Sequence, residues 1–213
     1  HLALVVREDL IDRIAVVTNA GGAGIMATDA LERDGLKLAS PSFETQEKLR
    51  QALPAAASVL NPIDVLGDAT AERYRVAFQA TLADENVDAM LVILVPTFMI
   101  DVKETAQALI EAAEAQPAGN KKPAMACFMG EEHVGEARHI FSKYSIPAYP
   151  IPERAAVAMT AMVAQANWMR EPLPEFKKFD VEQDSVAKIF DQVRAEGRVK
   201  IGDAESRDIL TAY

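Results

Sequence analysis

Residues 18–35, "TNAGGAGIMATDALERDG", follow the apolar run "RIAVV" at 13–17. An apolar β-branched run, then glycines, then an amphipathic stretch predicts a strand, a tight loop and a helix. We expect the helix to begin near Ala23 and to carry Asp29 and Glu32 on its outer turns. This strand–loop–helix unit sets the fold class from which the rest of the chain is interpreted.

The glycine loop has two interpretations. Gly21, Gly22 and Gly24 lack the Cβ atoms that would keep a ligand oxygen away from the main-chain N–H groups. The first amides of a helix are unpaired and positively polarised, so an anion binds there without a lysine. The pattern is not Walker A, because no Lys-Ser/Thr follows Gly24, and Ala27 interrupts G-x-G-x-x-G. Taken alone, it fits an anion site and a tightly packed turn equally well.

Composition limits the class of protein. The chain has 213 residues, half of them apolar, with a net charge of −10. That length holds one well-buried domain and an appendage. Without a basic patch to release counterions, we expect neither nucleic acid nor an anionic membrane as a partner.

The sequence also predicts a compartment. No apolar run approaches the roughly 20 residues that span a bilayer, and no secretion signal is recognisable, so we expect a cytoplasmic protein. The single cysteine, Cys127, excludes an internal disulfide and lies in the apolar segment "PAMACFMG". We therefore predict that it is a buried structural thiol.

Short apolar runs alternate with amphipathic stretches along most of the chain. After 13–17 the predicted strands are 36–39, 89–96, 123–129 and 146–151. Predicted helices lie between them, with Ser42, Thr70 and Asp101 as N-caps. Strand–helix alternation with short loops predicts an α/β fold, a parallel sheet covered by helices on both faces in three layers. Ligands of such sheets bind beyond the carboxyl ends of the strands, where the glycine loop lies.

The composition changes near residue 171. We predict a domain over 1–171, a proline-containing charged linker over 172–183, and a tail over 184–213. The tail offers a helix, an extended piece and a second helix, too little to bury a core alone. It is therefore interpreted as a short α-rich extension, the start of a further domain.

Two other loops are expected at the same edge. "NPIDVLGDA" at 61–69 is predicted to be a rigid turn, in which Asn61 and Asp64 bond neighbouring backbone N–H groups. Asp64 and Asp68 either support the site or serve only as turn scaffolding. In "VPTFMID" at 95–101, Thr97 is the one neutral polar donor.

No conventional catalytic or metal arrangement is recognisable. His133 and His139 are six residues apart on one predicted helix and face different directions. We predict ordinary histidines, no catalytic residue and no metal site in this chain.

Three segments together resemble one family: "RIAVVTNAGGAGIMATDALERDGLKLA", "NPIDVLGDATAERY" and "VDAMLVILVPTFMID". In this order and spacing they are similar to NDP-forming acyl-CoA synthetases, relatives of succinyl-CoA synthetase that include ADP-forming acetyl-CoA synthetase. The resemblance covers nearly the whole chain. It implies a flavodoxin-like ligase domain, the second of two, and the tail resembles the start of the following ATP-grasp domain.

The resemblance implies a chemistry. The family interconverts acyl-CoA, phosphate and nucleoside diphosphate with acid, CoA and triphosphate, through an acyl phosphate and a phosphohistidine. Position by position, it implies phosphate contact at the glycine loop, at Asn19, Ala20, Gly21, Gly22 and Gly24. Thr97, which stands where relatives have glutamine, is a further candidate for phosphate contact.

Other components are expected outside the chain. Phosphate is the expected ligand here, and no cofactor is expected within this chain. The resemblance places ATP/ADP, Mg and CoA in the full-length enzyme. The implied partners are the CoA-binding domain, the histidine-bearing ligase domain and the ATP-grasp domain, in an oligomer. None of His1, His133 or His139 has the Ser-His-Thr-Gly-like context of the family's carrier histidine.

The sequence departs from the family at two places. Ala23 replaces the usual proline, and "VPTFMID" replaces approximately T-P-Q-A-M-T-D. The second change leaves open whether the 95–101 loop retains phosphate contact. A ligand-sensing domain of a Pat-type protein acetyltransferase is therefore an alternative function, and a flavodoxin-like domain that binds a nucleotide or nothing is a third.

Overall fold

The computed structural model describes residues 12–117, 121–171 and 181–212, without the side chains of 131–133. The chain divides into two compact units, 1–171 and 172–213. The described part of the first unit contains six strands: β1 (Arg13–Thr18), β2 (Lys37–Leu38), β3 (Ile63–Asp64), β4 (Ala89–Leu94), β5 (Ala124–Phe128) and β6 (Ala148–Tyr149). No helix of the described ranges has the length and apolar character needed to cross a membrane.

Six helices accompany these strands: α1 (Gly21–Arg33), α2 (Phe43–Ala52), α3 (Ala71–Leu82), α4 (Val102–Glu114), α5 (Glu131–Lys143) and α6 (Pro152–Trp168). The three predicted N-caps are confirmed. Ser42 Oγ accepts from Thr45 N at 3.2 Å, and Thr70 Oγ1 accepts from Arg73 N at 3.2 Å. Asp101 Oδ1 accepts from the Glu104 amide at 2.9 Å. Each side chain satisfies an amide that the helix itself leaves unpaired.

All strand pairs of the sheet are parallel. The order is β2-β1-β4-β5-β6, with β3 also paired to β1. The chain moves outward from β1 to β2 and later returns to β1's other side with β4, so the connections on the two sides of β1 run in opposite directions. The gap between the carboxyl ends of β1 and β4 is therefore the topological switch point, where α/β sheets bind ligands. The predicted α/β, flavodoxin-like fold is confirmed.

One side of β1 is covered by two short strands instead of one. β2 pairs with Arg13 and Ile14, whereas β3 pairs with Val17 and Thr18. Asn61 fills the space between them: its Nδ2 donates to Ile14 O at 2.8 Å and to Ala39 O at 2.9 Å, and its Oδ1 accepts from Val16 N at 2.9 Å. The rigid turn predicted over 61–69 thus contains a strand that the sequence pattern did not reveal.

Two apolar layers fix the sheet between the helices. On one face, Ile14 and Val16 of β1 lie in a cluster with buried residues of α1 and α6. On the other face, Ala15 and Val17 lie with buried residues of α2 to α5. Alternate residues of the same strand therefore belong to opposite layers, as expected for a strand buried on both faces.

The second unit contains two helices in its described residues, α7 (Gln183–Ala195) and α8 (Asp203–Ala212). Of the predicted linker, 172–180 lie outside the described residues, and Gln183 is already helical. Arg198 bonds the Glu205 carboxylate, and this contact and the Gly202 amide lower the pKa of Glu205 to about 2. That the unit begins an ATP-grasp domain stays a prediction.

Candidate phosphate-binding site

The first turn of α1 presents three amides without acceptors. The helix begins at Gly21, two residues before the predicted start. The Ala20 amide donates to Thr18 Oγ1 at 3.0 Å, and the Gly24 amide donates to Ala20 O at 3.0 Å. Between them, within the described ranges, the amides of Gly21, Gly22 and Ala23 have no hydrogen-bond acceptor, and Ala20 provides no side-chain cap.

The three glycines differ in what surrounds them. A Cβ at Gly22 would have nothing within 4 Å, so the space above it is open. A Cβ at Gly21 would lie 3.5 Å from Asp64 Oδ2. A Cβ at Gly24 would lie 2.9 Å from Thr18 Cγ2 and 3.3 Å from Pro62 Cβ. Gly24 is buried and its amide is already bonded, so this glycine permits close packing between α1, β1 and the 61–69 loop.

Asn19 joins two loops at the switch point. Its side chain, only 4% exposed, donates from Nδ2 to Val95 O at 2.9 Å and accepts at Oδ1 from Val95 N at 2.8 Å. Both polar ends of the amide are therefore occupied. The side chain positions the β1–α1 loop against the β4–α4 loop, and phosphate contact by this residue stays a prediction.

Thr97 makes a second connection between loops. Its hydroxyl donates to Gly67 O at 3.1 Å and accepts weakly from Met99 N at 3.4 Å. The loops after β3 and β4 are thereby linked. Phe98 and Met99, next in the chain, are 99% and 57% exposed. Phosphate contact by Thr97 likewise remains a prediction.

The two aspartates of the 61–69 loop have different surroundings. Asp68 pairs with Arg73 at 2.7 Å, and the hydrogen bond from Arg73 lowers the pKa of Asp68. Asp64 Oδ1 accepts from Leu66 N at 2.9 Å, and no lysine or arginine of the described residues pairs with its carboxylate. Asp68 therefore supports the turn, while Asp64 lies beside the first turn of α1.

The negative charge of Asp64 also affects Tyr74, a buried residue of the core. Tyr74 is fully buried, and its hydroxyl donates to Ile93 O at 2.8 Å. Burial, followed by the negative charge of Asp64, raises the pKa of Tyr74 well above its ordinary value of 10.0. The phenol is thus a neutral donor that joins α3 to β4.

Several contacts that shape the site have no sequence signal. The Thr18 hydroxyl removes the Ala20 amide from the set of free donors. Leu66 has a φ of 71°, which is unusual for a residue with a side chain, and follows Asp64 by two positions. A turn-type pattern alone does not reveal a non-glycine residue in this conformation.

The histidines lie away from this edge or outside the description. His139 is exposed on α5, while His1 and the side chain of His133 lie outside the described residues. Among the described residues, no three His, Cys, Asp or Glu side chains are close enough to hold a metal. Cys127 is fully buried, as predicted, and burial together with the Glu153 charge raises its pKa to about 12.

The fold and the site define a class: a flavodoxin-like α/β domain whose first helix begins at the switch point with three amides that lack an acceptor among the described residues. Residues 14–173 match the model of the family described as Ligase-CoA domain. The chain belongs to this family, which confirms the resemblance inferred from its three segments.

Curated relatives and solved structures point to the same family. The chain is 36% identical over 201 residues to an ADP-forming acetate–CoA ligase I of Archaeoglobus fulgidus, covering 94% of this chain and 28% of the relative. It is 39% identical over 158 residues to the alpha subunit of ADP-forming acetate–CoA ligase II of Pyrococcus furiosus, covering 73% of this chain and 34% of that subunit. The chain thus spans about a third of these relatives or less.

A structure from Candidatus Korarchaeum cryptofilum is also similar. It is described as a dinucleotide-forming acetyl-coenzyme A synthetase 1 in complex with phosphate and ADP. It matches with a TM-score of 0.68 and 34% identity, over 76% of this chain and 36% of that one. The relatives are named as ligases and occur as subunits or larger chains.

Proposed function

We propose that this chain is the phosphate-holding ligase domain of a cytoplasmic, multidomain NDP-forming acyl-CoA synthetase. The parent enzyme would convert acyl-CoA, phosphate and NDP to acid, CoA and NTP. Other domains would supply the CoA site, the carrier histidine, and the ATP-grasp site for nucleotide and Mg. The names of the relatives support the synthetase over a ligand-sensing module.

One observation carries the proposal: the three free amides of Gly21, Gly22 and Ala23 at the switch point. They lie in the first turn of a 13-residue helix, where the macrodipole is positive. The space above Gly22 is open, so an oxyanion can approach the main chain there.

The surrounding residues keep these donors in place. Asn19 holds the β1–α1 loop against Val95, and Thr97 links the next two loops. Donors fixed before the ligand arrives need little reorganisation as phosphoryl charge develops. The donors proposed here are main-chain amides and a helix dipole, so we expect a dissociation constant for phosphate on the order of millimolar.

A variant with a bulky side chain over the free amides tests the site. Cα–Cβ bonds in a helix tilt toward its N-terminus, so Gly22→Leu places its side chain over the free amides without meeting the protein at Cβ. Gly135→Leu is the matched control, because a Cβ at this glycine of α5 also has nothing within 4 Å. By calorimetry, phosphate binding should disappear in Gly22→Leu and persist in Gly135→Leu. Equal binding by both variants would contradict the proposed site.

The isolated chain should not catalyse the synthetase reaction. Given acid, CoA, nucleotide and Mg, it should form no acyl-CoA, because the carrier histidine is expected in another domain. Acyl-CoA formation by this chain alone, measured by the loss of free thiol, would show that the chain contains a complete active site.

A further inference from the structure

Asp64 places at the candidate phosphate site a carboxylate oxygen that has no partner among the described residues. Its Oδ1 accepts from the Leu66 amide at 2.9 Å. Its Oδ2 lies 3.5 Å from the position of a Cβ on Gly21, and no donor of the described residues bonds it. Asp64 pairs with Thr18 in the sheet, so its backbone has little freedom to move the carboxylate away.

The site therefore combines donors with one acceptor. The free amides of Gly21, Gly22 and Ala23 need ligand oxygens with lone pairs. A carboxylate, in contrast, only accepts hydrogen bonds and repels an oxygen that has no hydrogen. A ligand suited to both has several acceptor oxygens and one O–H group.

Phosphate and sulfate differ in this property. They have the same tetrahedral shape, but inorganic phosphate keeps at least one hydrogen at neutral pH and sulfate keeps none. We infer that Asp64 is a specificity-determining residue that accepts a hydrogen bond from bound phosphate and disfavours anions without a hydrogen. This inference rests on the proposed function, since it concerns the same site.

The structure provides a nearly isosteric test. In Asp64→Asn, the retained bond from the Leu66 amide fixes the amide oxygen at the Oδ1 position, so the NH₂ group replaces Oδ2. The acceptor facing α1 becomes a donor, with little change of volume. Asp68→Asn is the control, because it makes the same change of charge in the same loop. The Asp68 carboxylate is already paired with Arg73.

Both anions are titrated calorimetrically into the wild-type chain and the two variants, at one neutral pH and fixed ionic strength. We expect the wild type to bind phosphate at least about tenfold more tightly than sulfate, because sulfate leaves the charged acceptor unpaired. Asp64→Asn should bring the ratio close to one by strengthening sulfate binding, while Asp68→Asn keeps the wild-type ratio.

The outcomes separate the two proposals. Equal wild-type affinity for phosphate and sulfate would overturn the role of Asp64 and leave the proposed function intact. An unchanged ratio in folded Asp64→Asn would do the same. If the wild type binds neither anion, the proposed function fails and the inference fails with it. The wild-type comparison alone remains decisive if Asp64→Asn does not fold.

Discussion

Replacing Gly24 by alanine should destabilise the domain, although alanine is the better helix former. The new Cβ would lie 2.9 Å from Thr18 Cγ2 and 3.3 Å from Pro62 Cβ. Thr18 is fully buried and cannot rotate freely, because its hydroxyl bonds the Ala20 amide. Overpacking of this kind costs about 1–3 kcal/mol, and the gain in helix propensity is about 0.5–1 kcal/mol. We therefore expect a net loss of up to about 2.5 kcal/mol, with a central value of about 1 kcal/mol.

Thermal unfolding measures this loss. A change of 1 kcal/mol shifts the midpoint of a domain of this size by about 2–4 °C. Gly22→Ala serves as the control, since its Cβ meets nothing within 4 Å, and should be neutral or slightly stabilising. Thr18→Ser removes the clashing methyl group and keeps the hydroxyl, so Gly24→Ala should cost less in that background. Equal midpoints for Gly24→Ala and Gly22→Ala would refute the packing role of Gly24.

The remaining predictions concern stability and reactivity. Burial raises the pKa of Asp88, but hydrogen bonds from Arg13 outweigh burial and bring the pKa below the ordinary value of 3.8. The contribution of Asp88 to stability is therefore complete above pH 3.8 and is lost as the pH falls through the lowered pKa. Unfolding midpoints measured from pH 7 to 2 should accordingly decline less steeply in Asp88→Asn than in the wild type. Leu66→Gly should change the free energy of unfolding little, because relief of about 1–2 kcal/mol of left-handed strain offsets the entropy cost of glycine. Leu66→Val should be clearly destabilised in urea unfolding. The reverse order of stability would be inconsistent with a φ of 71° at Leu66. Cys127, with a pKa of about 12, should resist thiol reagents at pH 8 until the chain is unfolded, and rapid labelling of the native chain would show that the thiol is accessible.

Long strongly patterned elements were predictable from sequence. β1 and β4 are buried on both faces, so their apolar runs stand out, and Ser42, Thr70 and Asp101 mark helix starts by side-chain chemistry. β3, by contrast, is two residues long and is defined by its pairing with β1. No local pattern indicates such a strand, because the partner is remote in sequence.

The location of the candidate site was predictable from sequence, but the contacts around it were not. Three glycines after a buried strand identified the helix N-terminus. That Gly24 packs against Thr18, or that the Asn19 side chain bonds Val95, depends on contacts between segments distant in sequence. Asn61 was expected to bond its neighbours in a turn, yet it bonds three strand-region backbone groups across the sheet. Its residue type indicated backbone bonding, but only the fold selects the partners.

The central claim is that main-chain amides at the start of α1 bind phosphate, and a phosphate titration of the ¹⁵N-labelled chain tests it directly. The amide resonances of Gly21, Gly22 and Ala23 should shift saturably, whereas the start of α4, which Asp101 caps, should not respond. Stationary resonances over 21–23 up to high phosphate concentration, or shifts confined to other helix starts, would contradict the assignment of this site.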